Sequence, residues 1–319
     1  MCYSAMVVAD YIRYTRDYGV ELSIQDFYEL FHRRHADPRI KIPKAMELGF
    51  AGNEAAAGQQ INALIAAFNA EQTIKLEQEL FKQRKRLADA QRSLAAKVTK
   101  TAADSERIAS DKVRWALAKL ADLRRTTLED RDARIFPGHY APVIVIEGGR
   151  RVLKPMRYQC RPAGKPAFYD QKYPGTYNAR RDNLGGFWKD LFGYSHGLML
   201  VNAFFENVDA HKVQGRELAE GEKPTNVVLE FRPQPVQDML VACLWSRWSA
   251  PGEPELLSFA AITDEPPPEV AAAGHDRCIV PIRPEHIDAW LSPDPKNLKA
   301  QFEILDDRAR PYYEHRLAA

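Results

Sequence analysis

Apolar and polar positions fall into three textures along the 319 residues. In the first fifty, Ile24, Phe27, Leu30 and Phe31 are spaced as the buried face of a helix from Ser23 to His32, with Ser23 at the N-cap and Asp26 at the third helical position. From 54 to 132 proline is absent and Gly58 is the only glycine. There Ile61, Leu64, Ile65, Phe68, Leu76, Leu80, Leu87, Leu94 and Val98 recur at intervals that sum to helical turns, and Ile108, Val113, Leu117, Leu120 and Leu123 continue the pattern after a polar break. The spacing predicts two long antiparallel helices, about 54–98 and 104–129, with 99–104 as the turn. From 135 onward short β-rich runs alternate with Pro and Gly, at 143–146, 198–205, 227–231, 239–245, 256–262 and 278–282. Six such runs with few helices between them predict a curved or barrel-like mixed sheet, not a doubly wound one. The expected fold is therefore α+β: a β-rich domain formed by 1–53 and 133–319, with 54–132 inserted as a helical hairpin. No repeat of 20 to 50 residues suggests a solenoid.

Charge changes this picture little. Forty-five Lys and Arg against forty-three Asp and Glu leave a net +2, which neither demands nor forbids a local basic groove. The run Lys82-Gln83-Arg84-Lys85-Arg86 stands in a hairpin with fifteen basic and twelve acidic residues, which reads as a solvated helix face. Asp10 and Arg13 interrupt the first apolar stretch before a signal-peptide core could form, and no 18-residue apolar run occurs. A cytoplasmic protein, nucleoid-associated if bacterial, with no membrane partner is expected. Phosphate-binding loops, nucleophile elbows and His-Glu-x-x-His are all missing. His32 and His35 have no third ligand nearby and read as surface residues, so neither metal nor cofactor is expected.

The cysteines, at 2, 160, 243 and 278, lie too far apart for a Cys-x-x-Cys pair, but the first has a special position. Removal of Met1 would make Cys2 the N-terminal residue, placing an amine of pKa about 7.7 to 8.0 and a thiol of pKa about 8.5 on one skeleton. The amine of such a 1,2-aminothiol condenses with an aldehyde to an imine, and the thiol then closes a thiazolidine ring.

Tyr177-Asn178-Ala179-Arg180, Ala203-Phe204-Phe205-Glu206-Asn207, Ala261-Ile262-Thr263 and Gly274-His275-Asp276-Arg277 follow one another in an order and spacing that, together with Met1-Cys2, resemble the SRAP family, the SOS-response-associated peptidases. The residues 284–291 resemble the short helix that follows in that family. The resemblance covers 1–50 loosely and 133–292 well, and leaves the hairpin aside. It implies a DNA-damage protein that crosslinks to abasic sites in single-stranded DNA, with Cys2 as double nucleophile. Glu206 and His275 would be its acid and base, and Asn178 would bind the cysteine or the sugar. Opening a closed abasic sugar and shedding water on imine formation both need proton transfer, which a carboxylate and an imidazole can supply.

Arg180 and Arg277 are natural phosphate partners, and Thr263 could bond substrate or end its strand. Where family members carry Gly-Arg after the cysteine, this chain has Tyr3-Ser4; Asn207 replaces a tryptophan. The stretch 154–172 instead interleaves Lys154, Arg157, Arg161, Lys165 and Lys172 with Tyr158, Phe168 and Tyr169, the composition of a single-strand groove. Two other readings stand beside this one. An N-terminal cysteine with its own amine as base can act as an (auto)peptidase or amidohydrolase, and the hairpin could instead be the working part, holding a protein partner or DNA without chemistry.

Overall fold

A computed structural model describes residues 3–318. Thirteen strands among them join one mixed sheet. They are β1 (Ser4–Val7), β2 (Glu21–Leu22), β3 (Arg134–Ile135), β4 (Tyr140–Glu147), β5 (Arg150–Tyr158), β6 (Asn178–Arg180), β7 (His196–Asp209), β8 (Asn226–Gln234), β9 (Met239–Trp248), β10 (Leu256–Asp264), β11 (Cys278–Ile279), β12 (Pro281–Ile282) and β13 (Tyr312–Leu317). Hydrogen bonding runs β12-β9-β10-β5-β4-β7-β1-β3, and β9 also pairs with β7, so the middle strands curl into a partial ring.

Strand alternation explains why the runs are apolar throughout. Leu198 and Leu200 of β7, Leu240, Ala242 and Leu244 of β9, and Ala260 and Ile262 of β10 enter one core. Their neighbours Met199, Val201, Val241, Cys243, Phe259 and Ala261 enter a second. With both faces covered, neither parity can be polar. The first core is roofed by α1 (Tyr11–Tyr18), α2 (Ile24–Ala36) and the short α3 (Lys44–Leu48). As expected, α2 buries Phe27, Leu30 and Phe31; Ser23 Oγ bonds the Asp26 carboxylate instead of capping a backbone amide.

All six predicted β runs form strands, the last broken at Val280 into β11 and β12. The first residues of the stretch 154–172, read for its charge, belong to strand β5, and the C-terminal Tyr312-Tyr313 pair opens β13 with Tyr313 buried and Tyr312 exposed.

The long helices are α4 (Ala56–Ala96) and α5 (Lys100–Arg124), joined by 97–99. The link is shorter than expected because Thr99 Oγ1 accepts the Ala102 amide at 3.2 Å and starts α5 at once. Contacts from Gln91 to Glu106, from Arg86 to Ser105 and from Glu77 to Arg124 show an antiparallel pair. Its seam is largely alanine: Ala102, Ala109 and Ala116, seven apart, are buried, and Ala116 packs with Leu80 and Leu120. Leu117, expected inside, is exposed beside this alanine seam, and Val98, expected to close the first helix, stands exposed in the link. At the foot, Arg34 of α2 lies over the Phe68 ring and Ile61 enters the main core.

Candidate functional site

Glu206 owes its setting to strand parity. Phe204 and Val208 on either side of it in β7 enter the second core, so the carboxyl between them points the same way and is fully buried. Burial pushes its pKa up to about 8. Its neighbour is His275, whose Nε2 lies 3.2 Å from Glu206 Oε2. The loop after a short helix (Pro268–Ala272) delivers that histidine, through Gly274 at φ +94, a conformation that a side-chain-bearing residue rarely adopts. Burial lowers the His275 pKa.

The other ring nitrogen has two contacts with Arg277. His275 Nδ1 lies 2.9 Å from the Arg277 carbonyl oxygen, to which it can only donate, and 3.3 Å from the Arg277 backbone N–H, from which it would accept; the shorter contact favours Nδ1–H. Nε2 then turns its lone pair toward Glu206. A raised carboxyl and a lowered imidazole both favour the uncharged pair, with the proton on Glu206 and an acceptor in front of it.

Asn178 and Thr263 join the same face through β6 and β10. These strands run parallel with Ala261 opposite Asn178 and Thr263 opposite Arg180, while Ala179 and Ile262 face the other core. Asn178 and Thr263 are buried, and neither the Asn178 amide atoms nor Thr263 Oγ1 has a hydrogen-bond partner among the described residues. Such groups cost about 1 to 3 kcal/mol each when left unmade, which marks a place where a ligand could complete them.

Cys2 lies outside the described residues; its neighbour Tyr3 does not. The antiparallel register that sets Ser4 opposite Phe205 carries Tyr3 alongside Glu206, where its backbone amide works against the burial that raises the carboxyl pKa. The Tyr3 ring meets Tyr177 edge-on at 6.4 Å and Phe136 at 5.6 Å. Cys160, Cys243 and Cys278 are buried and free, and burial raises all three thiols, Cys160 to about 12.

Arg180, Thr263 and Arg277 line one cavity of about 250 Å³. Four carboxylates share it, and Arg180 already holds Asp182 while Arg277 leans on Asp276 at 3.6 Å. The 154–172 stretch differs from the expected groove. Arg157 and Arg161 turn inward onto the single carboxylate of Asp170, Arg161 also stacks on Trp248 at 4.3 Å, and Lys154 is clamped by Asp26 and Glu147. Burial alone would raise the Asp170 carboxyl, but the bonds from Arg161 and Arg157 outweigh it and hold it low. The charge of these three cations is met internally: Lys154 and Arg157 leave β5 in opposite directions, the first to Asp26 and Glu147 and the second to Asp170, which Arg161 reaches from the segment after the strand. Lys165 stays outside, 5.9 Å from the Tyr169 ring, and Phe168 is exposed.

Arg134 escaped the sequence reading. Its guanidinium lies over the Phe205 ring at 3.7 Å, and Nε donates to Ser4 Oγ at 2.9 Å, so a cation stands beside the chain entrance where Tyr3-Ser4 offers none. Nothing local signals this, since Arg134 arrives through the pairing of β3 with β1.

Solved structures similar to this chain include three of low identity. A Bordetella bronchiseptica protein aligns at 17% identity and TM-score 0.45 over 59% of this chain and 87% of its own. A Bacteroides thetaiotaomicron protein aligns at 12% and 0.46 over 59% and 78%. A phage-related protein from Bordetella bronchiseptica aligns at 18% and 0.43 over 61% and 85%. No curated protein matches. The family model described as SOS response associated peptidase (SRAP) matches residues 94–317, which takes in α5 and leaves Cys2 outside, and by that match over most of its length the chain belongs to the SRAP family, tied to the SOS response and to DNA.

Proposed function

We propose that this protein captures abasic sites in single-stranded DNA by forming a thiazolidine at Cys2 once Met1 has been removed. The observation that carries the reading is the β1–β7 register that sets the Tyr3 backbone alongside a protonatable Glu206 that faces His275, because it brings the residue next to Cys2 to a proton-transfer pair. Glu206 donates a proton to the ring oxygen while His275 takes the proton of the C1 hydroxyl, and the sugar opens to its aldehyde. The Cys2 amine adds to the carbonyl carbon, and the resulting hydroxyl leaves as water with a proton from the same pair, which the proton lost by the nitrogen on imine formation restores. The thiol sulfur then adds to the imine carbon and its proton passes to the imine nitrogen, closing the ring with no change of oxidation state. The Asn178 amide, with no partner among the described residues, would hold the opened sugar or the cysteine.

The test is incubation of protein with abasic single-stranded DNA, followed by denaturing gel and intact mass. A heat-stable adduct lost in Cys2→Ser is expected. Absence of adduct from protein whose mass shows a free Cys2 overturns the reading. The family description also prints a peptidase, and the same pair could serve amide hydrolysis; turnover of a peptide without DNA would select that second reading.

A further inference from the structure

The balanced charge of the hairpin hides a strong polarity. Residues 82–114, the distal part, carry ten Lys and Arg against four Asp and Glu, whereas the rest of 54–132 carries five against eight. Two cavities open along it. One, about 440 Å³, lies at the foot and is lined among others by Phe68, Lys119, Phe136 and His139. The other, about 500 Å³, lies between the helices near the tip, with Lys82 and Arg86 on one wall and Thr101 and Ser105 on the other.

Helical geometry places both on one face. Phe68 and Arg86 are eighteen residues apart in α4, and so are Thr101 and Lys119 in α5. Eighteen residues make five full turns, about 27 Å of rise, so each pair shares a direction. Between them the same face carries Lys75 and Lys82 from α4 and Lys112 and Trp115 from α5. Trp115 is half exposed, and neither Lys82, Lys112 nor Lys119 has an ion pair among the described residues. The acids nearby are engaged: Glu79 by the Gln83 amide, Asp89 by Arg92, and Asp122 by Arg125 and Arg131. At the lower end, Phe136 in the foot cavity touches Tyr3, so the face begins beside the candidate site.

We propose that this face of α4 and α5 is a second DNA-binding surface, which tracks the phosphodiester backbone as it leaves the site. Its 27 Å would span about eight phosphates at 3.4 Å per strand position. Lysines and hydroxyls suit phosphate oxygens, and an exposed tryptophan among them suits a sugar or an unstacked base. The surface acts non-covalently and does not depend on Cys2 chemistry.

The test measures equilibrium binding of the full chain to undamaged DNA, single-stranded and duplex, across a salt series, comparing wild type with Lys82→Gln/Arg86→Gln/Lys112→Gln. The variant is expected to bind about tenfold or more weakly, with the slope of log affinity against log salt reduced by about 2 to 3. Loss on one DNA form alone assigns the surface to that form. A Lys82→Arg/Lys112→Arg variant should keep the wild-type slope, and an unchanged melting curve excludes unfolding. Equal affinity and slope for wild type and the Gln variant on both DNA forms overturn the proposal. Crosslinking at saturating abasic DNA reports on Cys2 separately, so either idea can fail alone.

Discussion

His275 accepts toward Glu206 and donates away from it: Nε2 faces the carboxyl at 3.2 Å while Nδ1–H is held by the Arg277 carbonyl at 2.9 Å. This arrangement fixes one mobile proton between two buried groups. It also means that the pair is poised without net charge, as a donor on one side and an acceptor on the other.

Replacing Glu206 by Gln keeps the shape and removes the proton. Crosslinking should slow by about 100- to 10,000-fold, the usual scale for a lost general acid. Single-turnover gel assays with Cys2 confirmed free would show it, and a rate within a few-fold of wild type would exclude Glu206 from the chemistry.

The same carboxyl makes stability depend on pH. Its native pKa of about 8 lies above the ordinary value near 4.5, so the folded state binds more protons between these limits. Stability should therefore fall as pH rises through that window, with a slope approaching about 1.4 kcal/mol per unit, and level off above it. His275, lowered by burial, works in the opposite sense below its ordinary value near 6.5, so the Glu206 slope should be cleanest from there to about 8. Urea melts of wild type and Glu206→Gln across this range should diverge, with the slope absent in the variant.

Thiol labelling should separate the four cysteines. Cys160, Cys243 and Cys278 are buried and their thiolates suppressed, so brief alkylation of native protein near neutral pH should add a single label, at Cys2. Unfolded protein should take four. Peptide mapping that finds Cys160 labelled in the native state would contradict the packing around it.

Arg161→Ala should cost about 1.5 to 3 kcal/mol, since it strips a partly buried carboxylate of one of its two guanidiniums and uncovers Trp248. Lys165→Ala, on an exposed side chain, should stay within about 0.5 kcal/mol. Denaturant melts would check both. If Arg161→Ala instead left stability intact while weakening DNA binding, the arginine would belong to the interface.

Local pattern was enough for the two long helices, the six β runs and the buried face of α2, because period and composition act over a few residues; Asn178, Glu206 and His275 were singled out only by their resemblance to the SRAP motifs. Long-range pairing decided the rest. Sequence could not show that Arg157 at the end of β5 and Arg161 just beyond it would converge on Asp170, since cations beside aromatics look alike whether a carboxylate or a phosphate awaits them. Nor could it place Arg134, brought to Ser4 by the partnering of β3 with β1. The proton state of Glu206 follows from the same cause: the parity that sends Phe204 and Val208 inward sends the carboxyl with them, and only the closed second core makes that position low in dielectric. The chain itself determined which groups are present and how each segment coils or extends; the tertiary structure decided which of them meet, because charge and burial depend on neighbours that lie far apart in sequence.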